Sequence, residues 1–418
     1  MATRGGLRYK VREGEKLVSE DSGRLRTILS HTAAVFQTAV NGRLEAIVAP
    51  ADLEGLSLEE ASAELPDPIR RAFALEGLSD SARELASSAE TWNEIDELVR
   101  RFLRGRRAAI AITGLRGTGR RRYLQRIANT AGEGEGVSVS RLRFDSIRTS
   151  AAEFLGAAAE SLGLEAGELD PEALARQLRE GPRRVVIVER AHNLYMRKIG
   201  GFEAIRAALA LVAATLERVL WVFEVDHYAW EYLDELSQLR GYFDLVVDAP
   251  LLSQADLKEV FERQLSELEP EFPTTFPPPK VLPGPQRATW RGEGFYRRLH
   301  LASSGNLESA GILFCRSTRW SAQLKKALVF PIPSIPFEEA LSSYPKTSLL
   351  ALAMLVEHEE LSQEDLADLL LISPGRARSL LDTFVRHSVT TRGESGRYVV
   401  NTPWLAAVRK HLTDWNVL

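Results

Sequence analysis

Cysteine is almost absent from this chain of 418 residues, and several other signals are missing altogether. The single Cys315 excludes an internal disulfide framework and a cysteine-based zinc site, and we predict no metal centre. The longest apolar stretches, such as 207–216, fall short of a membrane span. Residues 1–20 lack the apolar centre of a signal peptide, so a cytoplasmic protein is expected. A net charge of −4 gives no chain-wide attraction to nucleic acid, which would need a local basic patch.

Lysine is missing from every position between Lys16 and Lys198. Within this gap, residues 108–121 read as a buried strand, a glycine loop and the beginning of a helix. A loop of this kind, placed between a strand and a helix, favours a phosphate-binding site, because glycines let successive backbone N–H groups converge on an anion. The alternative is that the glycines only make a tight turn.

The glycine loop matches the phosphate-loop motif G-x-x-x-x-G-K-[ST] incompletely. Gly114, Gly117 and Gly119 preserve the flexible backbone. Arg120 stands where lysine would contact the terminal phosphates, and its planar guanidinium is bulkier than an ammonium group. Arg121 stands where a hydroxyl would hold Mg²⁺, and it has no oxygen with which to bind a metal. The loop is therefore predicted to be a degenerate nucleotide site.

A second acidic motif is expected at the end of another buried strand. Residues 184–188 form such a strand, followed by Glu189 and Arg190. Glu189 keeps a carboxylate that could assist Mg²⁺, but Arg190 occupies the position of the group that polarises water. A cation cannot act as a base toward water. No catalytic residue is therefore expected.

Strands and helices alternate from residue 108, which predicts an α/β domain whose parallel sheet is covered on both faces. The candidate strands are 108–113, 137–143, 184–188, 219–225 and 245–247. The candidate helices are 122–131, Ala151–Leu162, Pro171–Glu180, 202–216 and 253–268. The predicted divisions are a flexible tail (1–22), a helical amino-terminal extension (23–80), the α/β core (81–250), a helical lid (251–325) with a proline-rich insertion (269–291), a linker (326–343) and a carboxy-terminal domain (344–418).

Residues 81–320 resemble an AAA+ P-loop ATPase of the origin-recognition type, related also to transposition-regulator and STAND ATPases. The resemblance implies a polar sensor residue at the end of the strand 219–225, where this chain has Asp226. It also implies an arginine in the lid that touches the terminal phosphate, but Glu308 stands there and would repel an anion. The family places an arginine finger before the last core strand, and Arg240 lies in the matching stretch. A solvated surface arginine is the alternative for Arg240.

Residues 344–418 resemble a winged helix. Helices at 347–357, 361–370 and 375–387 are followed by a hairpin with glycines at its tip. Five arginines of the third helix and the hairpin are candidates for contact with DNA or a partner protein: Arg376, Arg378, Arg386, Arg392 and Arg397. The choice between DNA and protein is open.

Together these features predict a catalytically degenerate AAA+-like protein that acts as an assembly or adaptor subunit. No cofactor is required by this interpretation, although ATP or ADP binding without hydrolysis stays open. Other protein subunits, in a homo- or hetero-oligomer, are the expected partners, with DNA as a further candidate through the winged helix. Two alternatives remain, an active but divergent ATP-binding AAA+ ATPase and a DNA-binding winged-helix regulator.

Overall fold

The computed structural model describes residues 65–74, 88–164, 170–276, 294–332, 341–393 and 395–418. The predicted tail (1–22), most of the amino-terminal extension (23–80) and most of the proline-rich insertion (269–291) lie outside these residues.

Five parallel strands form the central sheet, as the sequence predicted. Their spatial order is β2-β3-β4-β1-β5, so β1 lies inside the sheet. Ile110 of β1 is opposite Val222 of β4 on one side and Leu245 of β5 on the other. Each strand lies within about two residues of its predicted position. The strands are β1 (Ala109–Gly114), β2 (Ser138–Arg143), β3 (Arg184–Glu189), β4 (Val219–Glu224) and β5 (Leu245–Ala249).

Helices cover both faces of this sheet, because alternate side chains of each strand point to opposite sides. Ile110 and Ile112 pack against helices α2 and α3, whereas Ala109 and Ala111 face α4 to α7. The helix after β4 was not predicted. The helices are α2 (Ala89–Leu103), α3 (Arg120–Gly132), α4 (Ala151–Leu162), α5 (Pro171–Glu180), α6 (Glu203–Thr215) and α7 (His227–Ser237).

The lid, defined here as residues 254–276 and 294–332, has its own apolar core. Helix α1 (Asp67–Ala72), which precedes the sheet in sequence, packs into this core, where the backbone of Phe73 lies against Gly311. The segment 326–329 was expected to begin a linker, but it forms a strand paired with the preceding one. The lid elements are α8 (Gln254–Leu268), β6 (Thr274–Thr275), α9 (Phe295–Ser303), α10 (Leu307–Ser317), β7 (Thr318–Ser321) and β8 (Lys326–Val329).

The carboxy-terminal domain, residues 341–393 and 395–418, contains three helices and a hairpin in the predicted order, with a short strand before the second helix and a further helix at the end. Ser362 caps the second helix through a reciprocal pair with Asp365. None of the helices described here is long and apolar enough to cross a membrane. The elements are α11 (Lys346–Glu357), β9 (Glu360–Leu361), α12 (Gln363–Leu370), α13 (Pro374–Arg386), β10 (Thr390–Arg392), β11 (Tyr398–Val400) and α14 (Thr402–Asp414).

Candidate functional site

The phosphate loop, residues 114–119, joins β1 to α3 in a backbone conformation that requires glycine. Gly114, Gly117 and Gly119 have φ angles of 140°, 83° and 85°, in the region that other residues rarely adopt. A Cβ atom on Gly114 would lie 2.8 Å from the Cβ of Ala249, and one on Gly117 would lie 2.6 Å from Oδ1 of Asn306. The glycines therefore serve both the turn and the close approach of neighbouring elements.

The lid holds this loop from outside. The side-chain amide of Asn306 donates to the carbonyl of Arg116 at 2.7 Å, and its Oδ1 accepts from the N–H of Ser309 at the beginning of α10. The backbone N–H of Glu308 donates to the carbonyl of Gly117 at 3.1 Å. Glu308 thus lies beside the loop, where the resemblance placed a phosphate sensor. Its carboxylate accepts from the Thr402 hydroxyl of the carboxy-terminal domain at 3.3 Å.

Arg120, at the lysine position of the motif, is buried and fully engaged by protein groups. Its Nε lies 2.9 Å from Glu224, and its Nη1 lies 3.9 Å from Asp226. The same Nη1 donates to the carbonyl of Gly114 at 3.1 Å, while Nη2 donates to Glu359. Strands β1 and β4 are neighbours and parallel, so the residues after them meet at one edge of the sheet. Three carboxylates therefore surround one guanidinium.

The pKa values of the groups in this cluster are shifted in different directions. Burial by itself lowers the pKa of Arg120, but the carboxylates of Glu224, Glu359 and Asp226 raise it further than burial lowers it. Burial raises the pKa of Glu224 and that of Asp226 against the effect of Arg120. Burial also acts to raise the pKa of Glu359, but the charges of Arg120 and Arg190 lower it overall. Of the three carboxyl groups around Arg120, only Glu359 has a pKa below its ordinary value.

Glu359 belongs to the carboxy-terminal domain and reaches the site from 239 positions away in the sequence. It lies in the bend between α11 and β9 with a φ of 62°. Its second oxygen faces Nε2 of His192 at 3.6 Å, while Nδ1 of His192 accepts from the N–H of Asp226 at 3.2 Å. Burial lowers the pKa of His192 to about 3, so the imidazole is neutral near pH 7. Neither Glu359 nor His192 was predicted, because no local motif marks them.

Glu189 and Arg190 also bind protein groups. Glu189 lies 2.6 Å from Nη1 of Arg141, a residue of the neighbouring strand β2. Arg190 has a φ of 57°, and its guanidinium lies 2.6 Å from Glu360 of the carboxy-terminal domain. The backbone N–H of Arg190 donates to Glu224 at 2.6 Å. The cation predicted at the position of the water-polarising group is thus directed toward the carboxy-terminal domain.

A cavity of about 370 Å³ lies between the phosphate loop and the carboxy-terminal domain. Arg120, Arg121 and Arg190 line one part of it, and Glu359 and Glu360 line another. The described residues do not fit a magnesium nucleotide, because a carboxylate already neutralises the loop cation and Arg121 has no oxygen to hold the metal.

The fold and the order of these elements agree with the resemblance drawn from the sequence. The described residues form a five-stranded parallel sheet with helices on both faces, which is an α/β fold. No protein-family model matches the sequence, and no curated protein matches it.

Three solved structures illustrate the similarity of this fold to known ones. Cdc6p from Pyrobaculum aerophilum is 14% identical, with a TM-score of 0.42, and the match covers 82% of this chain and 100% of that one. The ADP form of the Aeropyrum pernix ORC2 protein is 13% identical, with a TM-score of 0.37, covering 77% and 93%. The Walker-type ATPase PABY2304 of Pyrococcus abyssi is 12% identical, with a TM-score of 0.39, covering 78% and 95%. At these values the similarity does not extend to function.

The remaining predicted residues lie away from the loop. Arg240 is exposed on a turn before β5, with its N–H bonded to Asp234 at 2.7 Å. That turn is near Ala109, at the end of β1 opposite the phosphate loop, since Ala109 pairs with Asp244.

Four of the five candidate arginines of the carboxy-terminal domain are exposed: Arg376, Arg378, Arg386 and Arg392. Arg397 differs from the expectation. Only 9% of it is exposed, and its guanidinium lies 2.8 Å from Asp365, so it ties the hairpin to α12. The expectation that Arg397 is exposed for contact with DNA or a partner protein is therefore wrong.

Proposed function

We propose that this protein is an AAA+-like subunit that does not hydrolyse nucleotide and acts through assembly with other proteins. The observation that carries the proposal is the burial of Arg120 among Glu224, Asp226 and Glu359. A cation that serves as a phosphate ligand has to remain available to the phosphate. Here the guanidinium bonds to groups of the protein itself.

The positions around Arg120 support the same proposal. Arg121 offers no metal ligand, and Arg190 offers no base. The guanidinium of Arg190 pairs with Glu360, and a cation cannot act as a base toward water.

Phosphate release from ATP and from GTP tests the proposal, with Mg²⁺ present and the Arg120→Ala variant as the matched control. We expect the wild-type protein to release no more phosphate than the variant, because Arg120 has no part in hydrolysis. A turnover of about 1 per second, near the low end of ordinary enzymes, that disappears in Arg120→Ala would contradict it.

Two features support action through partners. The exposed Arg240 lies at the end of β1 opposite the phosphate loop, so it does not face the loop of its own chain. The insertion 269–291 is rich in proline, and fixed φ angles lower the entropy cost of docking as an extended segment. Light scattering on the protein alone and on material isolated with its bound proteins tests this point, and a monomer in both would contradict it.

A second candidate, DNA binding, rests on the four exposed arginines of α13 and the hairpin. Arg378 is only loosely paired, at 3.6 Å from Asp382, with more than half of each side chain exposed. Such side chains remain free to reach phosphates.

A further inference from the structure

The carboxy-terminal domain docks on the core domain at the phosphate loop itself. Nη1 of Arg116, within the loop, donates to the carbonyl of Val400 at 2.8 Å. Glu360 pairs with Arg190, and the Thr402 hydroxyl bonds to Glu308 of the lid. The loop and the residues around it are therefore bonded to the carboxy-terminal domain, and Glu359 of that domain reaches Arg120.

A second group of contacts secures the same docking away from the loop. The carboxylate of Glu357 is fully buried, accepts from the Tyr195 hydroxyl and lies 2.7 Å from Nη2 of Arg197. Lys198 lies 3.0 Å from Asp368 at the exposed rim. Removing the partner of a buried carboxylate leaves its charge uncompensated, whereas an exposed pair contributes little. Glu357 with Arg197 thus stabilises the docked arrangement far more than Asp368 with Lys198.

We infer that Glu359 is an internal ligand of the phosphate loop, and that its carboxylate and the phosphate of a free nucleotide compete for Arg120. The inference deepens the proposed non-hydrolysing function and rests on it. The carboxylate is an anion held against the cation that follows the loop glycines, which is where the loop geometry favours a phosphate. Docking of the carboxy-terminal domain and nucleotide binding then exclude each other.

If Glu359 moves away with the carboxy-terminal domain, Arg120 keeps two carboxylate neighbours. Without it, Arg120 still has Glu224 at 2.9 Å and Asp226 at 3.9 Å, so the guanidinium does not become an unpaired buried charge. The number of carboxyl groups around the one arginine then falls from three to two.

Calorimetric titration with ATP and with ADP, in chelator without metal, tests the inference on the full chain. The Glu359→Ala variant should bind nucleotide at least about tenfold more tightly than the wild type, since competition by the docked domain is a coupling that substitution removes. Asp368→Ala is the matched control, because it deletes a carboxylate from the same junction without reaching the loop. It should bind like the wild type. Equal affinities in Glu359→Ala and wild type would overturn the inference.

Arg197→Ala provides a second variant that leaves the phosphate loop untouched. It should also tighten nucleotide binding, because an unpaired Glu357 disfavours the docked domain and the loop is thereby released. Unchanged affinity in a folded Arg197→Ala protein, judged by circular dichroism, would overturn the inference independently. Phosphate release from the same samples separates the two proposals. Hydrolysis by the wild type contradicts the proposed function, while the affinities alone decide the role of Glu359.

Discussion

At the scale of single residues, the sequence identified the altered positions but not their partners. Arg120 could be recognised because the loop motif fixes which position should hold lysine. Glu224 ends an apolar strand, and Glu359 lies in a bend of a different domain, so no spacing rule connects either residue to Arg120. The pairing exists only because the parallel sheet and the domain docking bring the three residues together. Contacts of this kind cannot be predicted from one sequence.

Arg120→Lys restores the lysine of the motif, yet we expect no ATPase activity from it. Arg121 would still offer no ligand for Mg²⁺, and Arg190 would still offer no base. A single ammonium cannot reproduce the planar fork that reaches Glu224, Gly114 and Glu359 together. The free energy of unfolding should therefore fall by about 1–3 kcal/mol, the cost of leaving buried partners unsatisfied.

Urea unfolding and phosphate release measure the two parts of this prediction on the same sample. Arg104→Lys, at an exposed arginine paired with Glu97 at 2.9 Å, is the control and should leave stability nearly unchanged. Robust hydrolysis by Arg120→Lys would show that the roles given to positions 121 and 190 are wrong.

At the scale of elements, strands with β-branched residues and capped helices were predicted well, because local pattern and tertiary position agree in them. Helix α7 is not predicted from the sequence, because Asp226, which caps the helix, is interpreted as a sensor residue. The sequence predicts a linker where strand β8 lies, because its four residues form a strand by pairing with β6 and β7, which no local pattern shows. That the carboxy-terminal domain is a winged helix stays a prediction, although its helices and hairpin occur in the expected order.

The exposed arginines of α13 allow a direct test of the DNA alternative. Replacing Arg376, Arg378 and Arg386 with alanine should weaken binding to duplex DNA and reduce the slope of log affinity against log salt. Each lost phosphate contact lowers that slope by about 0.9. Fluorescence anisotropy at several salt concentrations measures it.

The matched control replaces three exposed arginines at the end of helix α2, Arg100, Arg101 and the following Arg104, in the same way. An equal loss of affinity in both triple variants would mean that the effect comes from net charge and not from α13. Unchanged binding in the α13 variant would rule out its helix as the DNA contact.

At the scale of the whole molecule, the lid and the carboxy-terminal domain both close on one loop. Asn306 and Glu308 hold it from the lid, while Arg116, Arg120 and Arg190 bond to the carboxy-terminal domain. The polar groups of this site are thus used in contacts between domains. In the described residues this loop joins the α/β core to the lid and to the carboxy-terminal domain.

The response of nucleotide binding to Mg²⁺ tests this account most directly. In a hydrolytic site the metal bridges nucleotide and protein, so it strengthens binding. Calorimetric titration of the wild-type protein with ATP, with and without Mg²⁺, should show no binding that depends on the metal, because Arg120 is held by carboxylates and Arg121 offers no ligand. An affinity for ATP that rises about tenfold or more with Mg²⁺ and is lost in Arg120→Ala would contradict it.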